Sequence, residues 1–300
     1  MRPWRRSQAP RAVTLRRRRQ LVPWLLIGPG LLWLAVFFAI PLANQLYVSL
    51  QTGDPETGYQ FTWAFGTYAD AIADYQEQFL RSIGYAATAT VLCLVIGFPL
   101  AYYTAFKARP WMRNLILLLV ILPFFVSSVL RTVSWQLILF DDGWIVARFR
   151  DVGLLGEEGR LLATRTAVIA GITYNFLPFM ILPLYVSLER IDHRLVEAAT
   201  DLYASRASAF RHVTLPLALP GIFAGSLLTF IPACGDFINA ALLGTPRQSM
   251  VGNVIQSKFL FVQDYPTAAA LSFILMTFIL VGVALYARLL GTKTLMDSAA

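Results

Sequence analysis

Charge is what this chain has least of. Asp, Glu, Lys and Arg make up 14% of its 300 residues, against 57% hydrophobic ones, and the mean hydropathy of +0.60 is far from that of a water-soluble domain. Cysteine is nearly absent. Cys93 and Cys234 both fall in apolar runs, which excludes a disulfide framework or a thiolate zinc site and leaves them as small packing residues. The two histidines, His193 and His212, show no metal-ligand spacing and no G-x-S-x-G nucleophile for a base to serve. No Walker A string occurs, so the chain is not expected to hydrolyse nucleotide itself. No catalytic residue, metal site or cofactor is expected.

What fills the sequence instead is apolar runs of membrane-crossing length. A hydrocarbon core of ~30 Å takes roughly 20 apolar residues per helix, and six runs qualify, near 22–48, 82–106, 114–140, 164–188, 216–236 and 267–290. They are continuously apolar rather than alternating as barrel strands would be. The expected fold is therefore an all-α integral membrane protein of six transmembrane helices. A basic tail (1–20) precedes the membrane domain (21–292), and a short tail (293–300) follows it. The uncharged run from Leu21 to Ala43 exceeds a signal peptide's apolar region, so a retained first helix is expected.

Basic residues set the orientation. With the N-terminus inside, the inner segments hold 17 of the 25 Lys and Arg residues but 5 of the 17 Asp and Glu residues. Both termini and the 189–215 loop are then cytoplasmic, in a cell membrane. The Arg16–Arg19 run beside the first span suits anionic membrane lipid. Nucleic-acid binding is not expected, because no soluble domain exists to shape a groove.

Between the spans, the 51–80 loop has five acidic residues and no Lys before Arg81, and reads as a solvated segment or a partner surface. The 141–163 segment reads as a short surface helix. Prolines 41, 99, 123, 178, 183, 220 and 232 sit within spans, where each removes a donor and can kink a helix. Gly221-x-x-x-Gly225 would let another helix approach the fifth span closely. In the 189–215 loop, Leu188, Ile191, Leu195, Ala199 and Leu202 step by three and four, with Arg190, Arg194, Glu197 and Asp201 on another face. This periodicity predicts an amphipathic helix along the membrane surface, which by itself fits a solvated connector.

The whole string is more specific. Glu197-Ala198-Ala199, then Val213 and Leu215-Pro216 at fixed spacing, closely resembles the EAA motif of binding-protein-dependent ABC importer permeases. Leu122-Pro-Phe-Phe125 with Leu130-Arg131, Ile231 to Phe237, Leu242-Leu-Gly244 and Met250 to Asn253 are similar to segments of the spermidine/putrescine permeases, and the likeness runs from about residue 21 to 290. The resemblance implies a type I importer fold with a coupling helix between spans 4 and 5, docked in a cleft of a cytoplasmic ATPase subunit. Glu197, Ala198, Ala199, Asp201, Leu202, Tyr203, Leu215 and Pro216 would form that contact, with Glu197 offering a carboxylate and Pro216 opening the fifth span in its first turn. Tyr203 stands where the motif has glycine, and a bulky residue at positive φ there would cost about 1–3 kcal/mol. The implied partners are two copies of the ATPase, a second homologous permease subunit and an extracytoplasmic solute-binding protein.

For the solute path, ionisable residues inside spans are the first candidates. Arg131 lies in the third span and Asp236 near the outer end of the fifth. Asp236 would attract a cationic amine, with Trp135, Tyr174 and Asn175 adding ring faces and hydrogen bonds for an extended polyamine. Arg131 opposes a simple cation route and would pair with a carboxylate such as Asp236 to brace a gate. An importer for another small solute remains open. An ion-coupled secondary transporter would need inverted repeats, which the sequence lacks.

Overall fold

The computed structural model describes residues 26–153, 155–156, 159–201 and 205–288. Helix α1 (Leu26–Ser49) has no buried residue in its most apolar stretch, which suits lipid, while its last turns pack against the helix Tyr265–Tyr286. Strands β1 (Gln51–Asp54) and β2 (Gly58–Phe61) follow as an antiparallel hairpin with Gln51 opposite Phe61. Asp54 sets the turn, its carboxylate accepting from the N–H groups of Glu56 (2.9 Å) and Thr57 (2.7 Å). Gly53 takes a φ of +135°, and a Cβ there would lie 2.1 Å from the Gly58 carbonyl oxygen, so only glycine fits.

Helix α2 (Gly66–Phe106) begins well before the apolar run that predicts it, and is offset at Tyr75 (φ −117°). Its first four turns bury Ala71 and Phe79 while Asp70, Asp74 and Glu77 stay exposed. Such a stretch is too polar to register as a span. The 51–80 segment is thus a hairpin and a helix rather than a loop.

The expected third span is two helices, α3 (Pro110–Phe125) and α4 (Ser128–Leu139), meeting at 98°. Pro123 tightens the end of α3 into a 3₁₀ turn, and Val126 and Ser127 are extended. Pro123 cannot donate to the carbonyl four residues back, so the helix ends there instead of bending. Helices α5 (Trp144–Asp151), α6 (Arg165–Glu189) and α7 (His193–Asp201) follow. Next come α8 (Arg206–Cys234), α9 (Ile238–Leu243), α10 (Val251–Val262) and α11 (Tyr265–Tyr286). Among the described residues five helices are long and apolar enough to cross a membrane, or six if the bent α3–α4 pair is one span.

Helix α8 starts at Arg206, ten residues before the expected opening at Pro216. Ser205 caps it, its hydroxyl accepting from the Ser208 N–H at 3.2 Å. Pro216 follows a π-turn (Phe210–Thr214) in which the Leu215 N–H donates to the Phe210 carbonyl. The wider turn gives room to the Pro216 ring, which would otherwise crowd the carbonyl four residues back.

The core is α2, α6 and α8 packed side by side. Ala86, Ala89, Cys93, Gly97 and Ala101 are buried along one stripe of α2, and Cys93 Sγ lies 3.3 Å from the Thr173 carbonyl oxygen of α6. The other side of α6 meets the Gly221 and Gly225 positions of α8. A Cβ at Gly221 would lie 2.5 Å from that of Ser187, and one at Gly225 2.8 Å from Met180 Sδ. Close packing of this kind, with lipid as the competing partner, is what holds membrane helices together.

Candidate functional site

Two places carry the residues singled out from the sequence. The first is the loop after α6. Leu188 and Ile191 are buried at its root, and Asp192 begins α7, its carboxylate accepting from the Arg194 N–H at 2.9 Å. Along α7, Glu197, Ala198 and Asp201 are exposed and Ala199 is half-buried. Leu195, on the apolar stripe, is also half exposed and lies at the end of a groove of about 780 Å³ between α6 and α8. Leu202 and Tyr203 lie outside the described residues.

Beyond them the loop is fastened. Phe210 packs edge-on against Phe98 (5.6 Å) and Tyr102 (5.9 Å) of α2, Thr214 is buried, Leu215 is half-buried and Pro216 is exposed. Arg113, in the first turns of α3, pairs with Glu189 at the end of α6 at 2.9 Å. The segment therefore presents a small, acidic helix face on a base tied to three spans.

The second place is a cavity of about 360 Å³ between α4, α6 and the α8–α9 turn. Arg131, Asn175 and Asp236 all line it, together with Phe124, Phe176 and Phe179. Asp236 is held by Asn239, whose backbone N–H and side-chain amide donate to its two oxygens at 2.8 and 2.7 Å. The Asn239 oxygen in turn accepts from Asn175 Nδ2 (3.0 Å) and Thr132 Oγ1 (3.2 Å). The chain of bonds thus crosses from α4 through α6 to α9.

The ion pair between Arg131 and Asp236 is not made in this conformation. Asp236 is satisfied from its own turn, and Arg131 Nε and Nη1 are buried without a hydrogen-bond partner. Trp135 and Tyr174 do not line this cavity. They pack edge-to-face on each other at 5.4 Å, and Tyr174 borders a separate apolar space of about 290 Å³ with Leu100, Pro123 and Leu177. Helix geometry explains the split, since neighbours such as Tyr174 and Asn175 point about 100° apart.

Thr132 and Asn239 were missed in the sequence. The signal for Asn239 was the D-x-x-N spacing, since an Asp three residues ahead of a helical N–H is a capping position. Asn239→Ala would strand Asp236 Oδ2 in a buried place and take one partner each from Asn175 Nδ2 and Thr132 Oγ1, which keep their 3.1 Å bond to each other. At about 1–3 kcal/mol per stranded group, the variant is expected to melt well below the wild type in detergent; an unchanged melting curve would show that the bonds carry no stability.

Comparison with known proteins fits this architecture. Residues 94–291 match the family described as the binding-protein-dependent transport system inner membrane component. The chain is 41% identical over 241 residues to the spermidine/putrescine transport system permease protein PotB of Haemophilus influenzae, covering 80% of this chain and 84% of that one. It is 36% identical to PotB of Escherichia coli K12, covering 80% and 87%. It is 32% identical over 285 residues to the inner membrane ABC transporter permease protein YdcU of the same organism, covering 88% of each. Among solved structures, a chain of a bacterial ABC transporter that imports alginate superposes with a TM-score of 0.71 at 20% identity, covering 94% of this chain and 99% of that one; at that identity the likeness concerns the fold.

Proposed function

This chain belongs to the family of inner-membrane components of binding-protein-dependent transport systems, and on that premise we propose that it conducts a polyamine of the spermidine and putrescine class as one permease subunit of an ATP-driven importer. The observation that carries the solute class is the 41% identity, across four fifths of the chain, with a permease named for those two amines. A cavity with Asp236, the free oxygen chemistry of Asn175 and several phenylalanine rings on its wall suits an alkyl chain bearing ammonium groups.

In this reading Asp236 is the solute contact in the membrane, and Arg131 keeps that contact weak, so that the amine passes on instead of being trapped. Trp135 and Tyr174 support α4 and α6 from behind. The exposed Glu197, Ala198 and Asp201 face docks on the ATPase, with Leu202, Tyr203, Leu215 and Pro216 completing the contact. Two copies of that ATPase, a second permease and an extracytoplasmic binding protein complete the assembly. A solved relative in fold is described in complex with its periplasmic protein, which supports the last of these. The basic residue distribution supports an orientation with both termini in the cytoplasm, and the energy comes from nucleotide hydrolysed on the partner.

Uptake of labelled spermidine and putrescine in cells lacking this gene, restored by the wild type or by Asp236→Asn, tests the solute site. The variant is expected to raise the half-saturation concentration about tenfold, equivalent to about 1.4 kcal/mol of lost attraction. Unchanged kinetics would retire Asp236 as a contact, and a wild-type chain that restores no amine uptake would retire the solute class.

A further inference from the structure

Four aromatic rings at the hairpin end of α1 have no part in the transport reading. Tyr47 in the last turns of α1 stacks on Phe61 of β2 (centroids 4.9 Å apart, planes within 2°), Phe61 meets Trp63 edge-on at 4.9 Å, and Trp63 stacks on Phe65 at 6.1 Å. Trp63 and Phe65 are each 64% exposed and Tyr47 50%. The row is continuous and lies on the outside of the molecule.

The backbone fixes its level. The Leu50 carbonyl, one residue beyond α1, accepts from the N–H groups of both Thr62 (3.3 Å) and Ala64 (3.1 Å), so the chain leaving β2 is drawn back to the point where the apolar helix ends. Trp63, between those two donors, takes a φ of +53°. A bulky residue in the left-handed region is strained, and such strain persists where the surroundings enforce it and commonly marks a function. Its effect here is to turn the indole outward, in line with Tyr47, Phe61 and Phe65, instead of letting β2 run on.

We infer that Tyr47, Phe61, Trp63 and Phe65 form an anchor that seats this end of the first span in the headgroup layer of the lipid bilayer. Tyr47 and Trp63 carry a polar group on an apolar ring, which favours that layer, and Phe61 and Phe65 add apolar area beside them. Leu46 and Tyr47 stay exposed on the last turns of α1, beside a stretch in which no residue is buried, so the row extends an apolar surface, which favours lipid over a soluble partner. The charges on the hairpin agree. Asp54 and Glu56 sit at its tip, a four-residue strand or about 13 Å from the base, where they stand in water. Between Gln51 and Phe65 there is no Lys or Arg to draw the base away from the bilayer. A second bond holds the hairpin upright, from the Tyr59 hydroxyl to the Gln263 carbonyl ahead of α11.

Site-directed spin labelling of the assembled importer in phosphatidylcholine–phosphatidylglycerol vesicles tests this. Nitroxides would be placed through Trp63→Cys, Phe65→Cys and, as a tip control, Glu56→Cys, and read for collision with oxygen, which enters lipid, and with a nickel complex confined to water. Cys93 and Cys234 are fully buried, and the unsubstituted chain supplies the background. Labels at 63 and 65 are expected to favour oxygen and the label at 56 to favour nickel. Because Trp63→Cys removes a ring, Thr62→Cys repeats the measurement with all four rings kept, and is expected to move toward the tip value when Trp63→Ser and Phe65→Ser are added. Nickel accessibility at 62, 63 and 65 equal to that at 56 would overturn the anchor. So would shielding of these positions from both reagents, whether constant or produced by adding the solute-binding protein, since a protein surface would then be the occupant.

Discussion

Valine at Gly221 is expected to prevent the chain from reaching its native packing. A Cβ at that position would sit 2.5 Å from the Cβ of Ser187 and 2.8 Å from the carbonyl oxygen of Pro183. Neither is the far end of a flexible side chain, so relief requires α6 and α8 to separate along their length. Overpacking ordinarily costs about 1–3 kcal/mol, and a clash against backbone belongs at or above the top of that range. Membrane helices have no aqueous driving force to hold them together once close contact is lost. The measurement is the yield of monodisperse full-length protein in mild detergent, with its melting temperature where any is recovered. Gly282→Val serves as the control, because nothing lies within 4 Å of a Cβ there, and it is expected to behave as wild type. A Gly221→Val chain that melts with the wild type would show that the α6–α8 contact is looser than described.

Glu197→Lys is expected to leave the protein in the membrane with an unchanged melting temperature, and to lower amine uptake by about a hundredfold while abolishing solute-stimulated ATP hydrolysis. The side chain is exposed on α7, where a substitution leaves the core packing intact, and in the proposed reading the effect arises at the partner's surface. Losing one member of a buried charge pair across an interface costs about 2–5 kcal/mol, and reversal adds repulsion to that loss. Assay of the reconstituted importer separates the two quantities. Normal solute-driven hydrolysis in the variant would remove this loop from the coupling path.

Composition and run length were enough to read the membrane class, and the apolar runs mark α1, α6 and α11 closely, because a buried apolar helix is specified locally. The Gly221-x-x-x-Gly225 spacing likewise announced a close helix contact, and α6 is the helix that fills it. What escaped was set by geometry beyond the run. The 98° break at Pro123 shares its residue type with Pro178, Pro183 and Pro220, which lie inside intact helices, and a proline's consequence depends on whether neighbours hold the helix together around it. The early start of α2 was hidden because residues 66–81 are polar on one side. In the site, charge inside a span was sufficient to find Arg131 and Asp236, and the cavity unites them with Asn175. Trp135 and Tyr174 were chosen as residue types able to meet a cation, and type alone carries no direction around a helix. Thr132 and Asn239 have no charge to call notice to them, yet they form the bonds that fix the cavity's shape.

The right angle between α3 and α4 makes the pair a crank. A straight span twisted about its own axis sweeps out no distance, but here the twist of one arm becomes sideways travel of the other. Helix α4 has 12 residues and so reaches about 18 Å, and a rotation of about 10° in α3 carries its far end through about 3 Å. Thr132, nearer the elbow, moves through about a third of that arc, enough to part its 3.1 Å bond with Asn175. Arg113 ties the base of α3 to Glu189, the last residue of α6 before the loop. A torque that entered α3 through this pair would thus displace the cavity wall sideways, with α3 as the shaft.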